Sequence, residues 1–191
     1  MKTHTTLLWG SLLLLAGCGT PSNFYRLHVP TSSHKIKTLP TRVIGIAEVD
    51  IADYLDQPQM VTRKDDASII VHETDRWAGA LDKNIQQALQ RALSRQMPRY
   101  AFISRPYDEP LDERYRVYVR VDRFDADAEA TVRLQGRWSL VGTEEQRTLL
   151  SQAFDLKAKA SSVALADTVR TQSQLIDRLA GRIAEVLRRR L

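Results

Sequence analysis

Three segments of the chain alternate apolar and polar residues without a break, and this period of two restricts the fold more than any other feature. Val117, Val119 and Val121 alternate with Arg116, Tyr118 and Arg120. Val132, Leu134, Gly136, Trp138 and Leu140 alternate with Thr131, Arg133, Gln135, Arg137 and Ser139. Phe154, Leu156 and Ala158 alternate with Asp155, Lys157 and Lys159. Successive side chains of a strand point to opposite faces, so each segment is a strand with one buried and one wet face. That is the signature of antiparallel pairing.

Shorter strand signals precede these three. Phe24 to Val29 reads as a strand, followed by a polar loop from Pro30 to Thr41. Val43 to Val49 is mostly apolar and β-branched, as suits a strand covered on both faces. Gln59 to Arg63 and Ser68 to Glu73 read as strands joined by a tight turn at Lys64-Asp65-Asp66. The helices follow a different period. Trp77, Leu81, Ile85, Leu89 and Leu93 form an i, i+4 stripe, with Asp75 as the expected N-cap and Pro98 ending the helix near Met97. A last helix is expected from about Asp167 to Arg190, with Val169, Ile176, Leu179, Ile183, Val186 and Leu187 on one face. The implied fold is α/β of the α+β kind: a mixed, largely antiparallel sheet of about six strands, with two amphipathic helices packed on one face. At 191 residues, with no internal repeat, the chain suits one globular domain over residues 24–191.

The N-terminus is different in kind. A short positive start, Met1-Lys2, leads into an apolar run from Leu7 to Ala16, ten residues in all. At about 1.5 Å per residue the run is too short for a hydrocarbon core of about 30 Å, so it reads as an export signal. It ends in Leu15-Ala16-Gly17-Cys18, which resembles a bacterial lipobox, and Cys18 is the sole cysteine. Residues 1–17 are then a cleaved lipoprotein signal peptide. Cys18 becomes the lipidated first residue, carrying diacylglycerol and an N-acyl chain such as palmitate, and residues 18–23 form a short tether. Gly19, where an Asp would favour retention in the inner membrane, points to the periplasmic face of the outer membrane. The alternative is a plain secretory signal with an unpaired Cys.

No catalytic constellation stands out. His4, His28, His34 and His72 lack partners at metal-ligand spacing, and His72 alternates with Ile69 and Val71 as a solvent-facing strand residue. No Gly-x-Ser-x-Gly elbow, Walker loop or dinucleotide-binding glycine pattern is present, and lipidation consumes the only thiol. Asp50, Asp53 and Asp56 fall in a segment, Ile51 to Pro58, that reads as a loop, where turn caps and surface charge explain them. The chain therefore reads as a non-enzyme with no cofactor beyond its covalent lipid and no metal. The 28 Lys and Arg against 23 Asp and Glu leave a net charge of only +5. Arg188-Arg189-Arg190 suits a helix C-terminus. Arg116, Arg120, Arg133 and Arg137 share the polar faces of two neighbouring strands and can form a basic patch for anionic lipid or an acidic partner. Export argues against nucleic acid.

The run Ile44-Gly45-Ile46-Ala47-Glu48-Val49-Asp50-Ile51-Ala52-Asp53-Tyr54-Leu55-Asp56-Gln57-Pro58-Gln59-Met60-Val61-Thr62-Arg63 resembles the signature of the ABC-type transport auxiliary lipoproteins, also called PqiC-like proteins. Arg76-Trp77-Ala78 before a helix, Leu134 to Leu140 around Trp138, and Phe24-Tyr25-Arg26-Leu27 fit the same pattern. The chain departs from it at Gly79-Ala80, where an acidic residue and Pro are expected. The resemblance implies an outer-membrane-anchored accessory subunit of an ABC/MCE-type intermembrane lipid transport system that supports envelope integrity. Its implied partner is a periplasmic MCE-domain protein, and a homo-oligomeric ring stays open. The competing role is a lipoprotein that assists envelope assembly or regulates a cell-wall enzyme. Tyr54, Leu55, Gln57, Pro58, Gln59 and Arg63 are the candidate partner-binding residues, since loops carry recognition. Burial of Tyr54 and Leu55 under the sheet edge, with Pro58 fixing the turn, is an equal alternative.

Overall fold

In the computed structural model, which describes residues 21–30, 42–106 and 112–191, the alternating segments become a meander of long strands. These are β7 (Glu113–Ala126), β8 (Thr131–Gly142) and β9 (Arg147–Lys159), paired antiparallel in sequence order. Their apolar faces supply Val117, Val121, Val132, Leu134 and Leu140 to the core. On the other side of β7 lie β2 (Arg42–Ile46) and then β6 (Tyr100–Ser104), both parallel, giving the order β6-β2-β7-β8-β9. The two-residue β3 (Asp50–Ile51) also pairs with β7. Because β2 is flanked on both sides, it buries Ile44, Gly45 and Ile46 in succession and shows no alternation.

The strands divide into two sheets rather than one. β4 (Gln59–Arg63) and β5 (Ile69–Trp77) form a hairpin, and β1 (Asn23–Tyr25) adds parallel to the end of β5, giving β1-β5-β4. Asp65 makes the hairpin turn, its carboxylate accepting the Ala67 and Ser68 N–H groups at 2.9 and 2.8 Å. β1 is shorter than its apolar pattern suggests. Beyond Tyr25 the chain leaves the sheet, yet Leu27 and Val29 still enter the core.

Helix α1 (Leu81–Gln96) begins later than its stripe predicts. Trp77 closes β5 instead of opening the helix, and Asp75 is a strand residue that accepts hydrogen bonds from Asn23 and Tyr25. The turn between them uses Gly79 at φ 100°, a conformation that costs glycine least. Ala80 sits at the N-cap without a side-chain bond, and Asn84 reaches back to the Ala80 carbonyl at 2.9 Å. Helix α2 (Leu165–Arg190) lies beside α1. Arg95 pairs with Asp177, and Arg188 donates to the Gln96 carbonyl at 2.7 Å. Thus one arginine of the C-terminal triplet satisfies the open end of the neighbouring helix. Leu89, Leu93, Ile176, Leu179, Ile183 and Leu187 bury completely in the single core.

Candidate functional site

The Tyr54–Arg63 element is the turn that carries the chain from the large sheet to the small one. β3 follows β7 as far as the Ala52 N–H, which donates to the Val121 carbonyl at 2.9 Å. A single 3₁₀ turn, Asp53–Leu55, then reverses the chain, with Asp53 in its first turn and its carbonyl accepting the Asp56 N–H. The Gln57 amide donates to the Tyr54 carbonyl at 2.9 Å, and the Pro58 carbonyl accepts the Trp77 N–H at 2.8 Å. Gln59 opens β4 and reaches Glu73 at 3.4 Å. Leu55 is buried in the core, Tyr54, Gln57, Gln59 and Arg63 are half-buried, and Asp56 and Pro58 are exposed.

Tyr54 and Arg63, nine positions apart in sequence, meet on one carboxylate. Asp125 is fully buried, and the Tyr54 hydroxyl donates to its Oδ2 at 2.7 Å. Arg63 Nη2 donates to the same oxygen at 3.1 Å, while Arg123 Nε donates to Oδ1 at 2.9 Å. The Arg63 guanidinium also lies 5.9 Å from the Tyr54 ring centroid, within cation–π range. A buried carboxylate persists only when it is paired and fully hydrogen-bonded, and these donors meet that requirement. Burial, with the Asp125 charge adding to it, pushes the Tyr54 phenol up to about 12. The hydrogen bond to Asp125 raises the Arg63 guanidinium above its ordinary value, so both donors stay protonated at neutral pH.

A bulge in β7 makes this meeting geometrically possible. Register shifts between Val121 and Arg123, so Arg120 pairs with Arg137 but Arg123 pairs with Gln135. The extra residue reverses the alternation. Phe124 therefore turns into the core opposite Leu134, and Asp125 stands on the polar face, where β4 and the 3₁₀ turn cover it. Asp125 and Arg123 were not among the residues singled out by spacing. The available signal was Asp122-Arg123, where two adjacent polar residues interrupt the alternation.

A second buried carboxylate lies at the start of β7. Glu113 accepts from Arg105 Nη2 at 2.8 Å and from Arg116 Nε at 2.7 Å. That hydrogen bond raises the Arg116 guanidinium well above its ordinary value. Gly45 of β2 makes room for this group, since a Cβ there would fall 2.0 Å from Glu113 Oε1.

The expected basic strand patch is largely neutralised. Arg116 is held by Glu113, Arg120 by Asp50 at 2.6 Å and Asp122 at 2.9 Å, and Arg133 by Asp155 in a two-pronged contact. Arg137 has no ion pair among the described residues and reaches the Ser151 hydroxyl at 3.5 Å. Pairing within β7 and across neighbouring strands thus neutralises most of this positive charge within the sheet. His72 shares a 2.9 Å hydrogen bond with Thr62. Among the described residues no group of three or more His, Cys, Asp or Glu is placed to hold a metal, and no helix is long and apolar enough to cross a membrane. Leu15, Ala16, Gly17, Cys18 and Gly19 lie outside the described residues.

The fold and the buried Asp125 cluster together define a small α+β domain in which Tyr54 and Arg63 hold two sheets against each other. The profile of the family described as ABC-type transport auxiliary lipoprotein component matches residues 25–184. The chain belongs to that family, so it is an accessory component of transport rather than an enzyme. It is 25% identical over 181 residues to the intermembrane transport lipoprotein PqiC of Escherichia coli strain K12, covering 93% of this chain and 94% of the relative. The Shigella flexneri protein of the same name matches equally. Two crystal structures share the fold. One, of an uncharacterized protein, has a TM-score of 0.74 at 21% identity and covers 88% of this chain and 99% of that one. The other, from Xanthomonas campestris, has a TM-score of 0.67 at 18% identity, covering 86% and 92%.

Proposed function

We propose that the chain is exported, cleaved before Cys18, lipidated there and sorted to the periplasmic face of the outer membrane. There it serves as the accessory subunit of an ABC/MCE-type lipid transporter, joined to a periplasmic MCE-domain protein. The observation that carries this reading is family membership across residues 25–184 of a chain that carries Leu15-Ala16-Gly17-Cys18 ahead of them. Gly19 supports outer-membrane sorting, and the names of the PqiC relatives support intermembrane transport.

In this role the Tyr54–Arg63 element divides its work. Leu55, Tyr54 and Arg63 fix the turn from below, and the rim of Gln57, exposed Pro58 and Gln59 offers amide and ring surface to the partner. Loops seated on a rigid scaffold are the usual carriers of recognition. The test is affinity purification of the tagged full chain from membranes, with photocrosslinkers at Gln57 and Gln59. Capture of an MCE-domain protein through these positions is the expected result. Crosslinks confined to cell-wall enzymes, together with altered cell shape in a deletion strain, would overturn it in favour of the competing role. Selective sensitivity to detergents and lipophilic agents in that strain supports transport.

A further inference from the structure

The β4–β5 hairpin carries apolar surface that none of the described residues covers. Ile69, Ile70 and Val71 are consecutive, and they are 37%, 44% and 36% exposed. Phe24 on the adjoining β1 is 66% exposed. Among the described residues the edge is open as well, because β1 pairs with Asp75, Arg76 and Trp77 and no described strand pairs with β5 on that side from Ile69 to Thr74. An exposed β-branched edge strand is an aggregation hazard unless something covers it.

The register of β1 identifies the cover. β1 runs parallel to β5 with Asn23 opposite Asp75, so the chain preceding Asn23 heads toward the Ile69 end of the hairpin. Cys18 lies five residues before Asn23, a reach of at most about 17 Å. Ile70 lies five residues before Asp75 along β5, again about 17 Å at the rise of a strand. A bilayer that holds the lipid on Cys18 is therefore within reach of the Ile69 end of the hairpin.

We infer that the hairpin tip, through Ile69, Ile70 and Val71, inserts shallowly into the same bilayer that holds the lipid on Cys18. This rests on the lipidation proposed above. The tip carries Lys64 against Asp65 and Asp66, while Arg63 is taken up by Asp125, so it suits a zwitterionic surface better than a strongly anionic one. A second contact beside a lipid anchor also fixes the orientation of the domain, which one flexible tether does not.

The test uses the full lipidated chain in phosphatidylethanolamine–phosphatidylcholine vesicles, with an environment-sensitive fluorophore on Ile70→Cys. Thr148→Cys is the control, in the β8–β9 hairpin at the opposite end of the large sheet from Asp125. With Cys18 acylated, the parent protein takes up no thiol label; labelling of Cys18 would defeat the anchor reading itself. With the anchor in place, the expected result is a blue shift at position 70 and loss of emission to spin labels near the headgroups, with neither at position 148. Equal, unshifted emission at both positions would overturn hairpin insertion. So would shielding of position 70 that arises only when a periplasmic partner protein is added.

Discussion

Without its carboxylate, position 125 leaves the mostly buried guanidinium groups of Arg63 and Arg123 without their shared anion. Asp125→Ala should therefore cost about 3–5 kcal/mol, the usual penalty for breaking a buried ion pair from one side, measured by urea unfolding. Tyr54→Phe removes one hydrogen bond to a charged acceptor and should cost about 1.5–3 kcal/mol at pH 8. Its pH dependence has a definite sign. The Tyr54 phenol is held at about 12 when folded, against about 10 in an unfolded chain. Between those values the unfolded state has released a proton that the native state keeps, so the contribution is complete below pH 10 and falls as pH rises through 12. The stability gap between parent and Tyr54→Phe should thus narrow from pH 8 to pH 11. A gap that widened would contradict the Tyr54–Asp125 bond.

At the scale of the elements, Gly136 of β8 leaves no room for a side chain against β7. A Cβ there would sit 2.0 Å from the Arg120 carbonyl oxygen and 2.9 Å from the Phe154 ring. Gly136→Ala must push the two strands apart, an overpacking cost of at least about 1–3 kcal/mol that thermal unfolding would register. Helix α1 has the opposite character, with capacity to spare. Ala80 holds an extended N-cap conformation with no side-chain bond, at the site where the family pattern departs in this chain. Ala80→Ser supplies an acceptor for the first-turn N–H groups and should stabilise by about 0.5–2 kcal/mol, raising Tm in differential scanning calorimetry.

At the scale of the whole molecule, the anchor proposed above is the lipid on Cys18. Exchanging residues 1–18 for a plain, cleavable secretory signal that leaves no Cys should therefore release the protein from the membrane fraction into the soluble periplasmic fraction while leaving its unfolding transition unchanged. Immunoblots of fractionated cells read the first outcome and circular dichroism the second. Persistent membrane association of that variant would mean that the anchor lies elsewhere.

Period and position in the sequence were enough for the elements that answer to one surface only. The alternation of β7, β8 and β9 and the apolar stripes of α1 and α2 each follow from a single buried face, and each element is present in the structure, with only the start of α1 displaced. The boundary of α1 was not legible, because Trp77 packs in the core equally well from a strand end or a helix start, and only the turn at Gly79 separates the two. β6 was not legible either. It is five residues long, and its pairing to β2 depends on the intervening chain returning beside it. The resemblance drew attention to Tyr54 and Arg63, but their shared partner could not be read from it. Asp125 lies more than sixty positions downstream of Arg63, and a bulge reverses its side of the strand. Local sequence thus determined which face each segment buries, because burial answers to the period of the chain. Tertiary structure alone decided which charges meet, because a buried ion pair depends on register between segments that share no sequence neighbourhood.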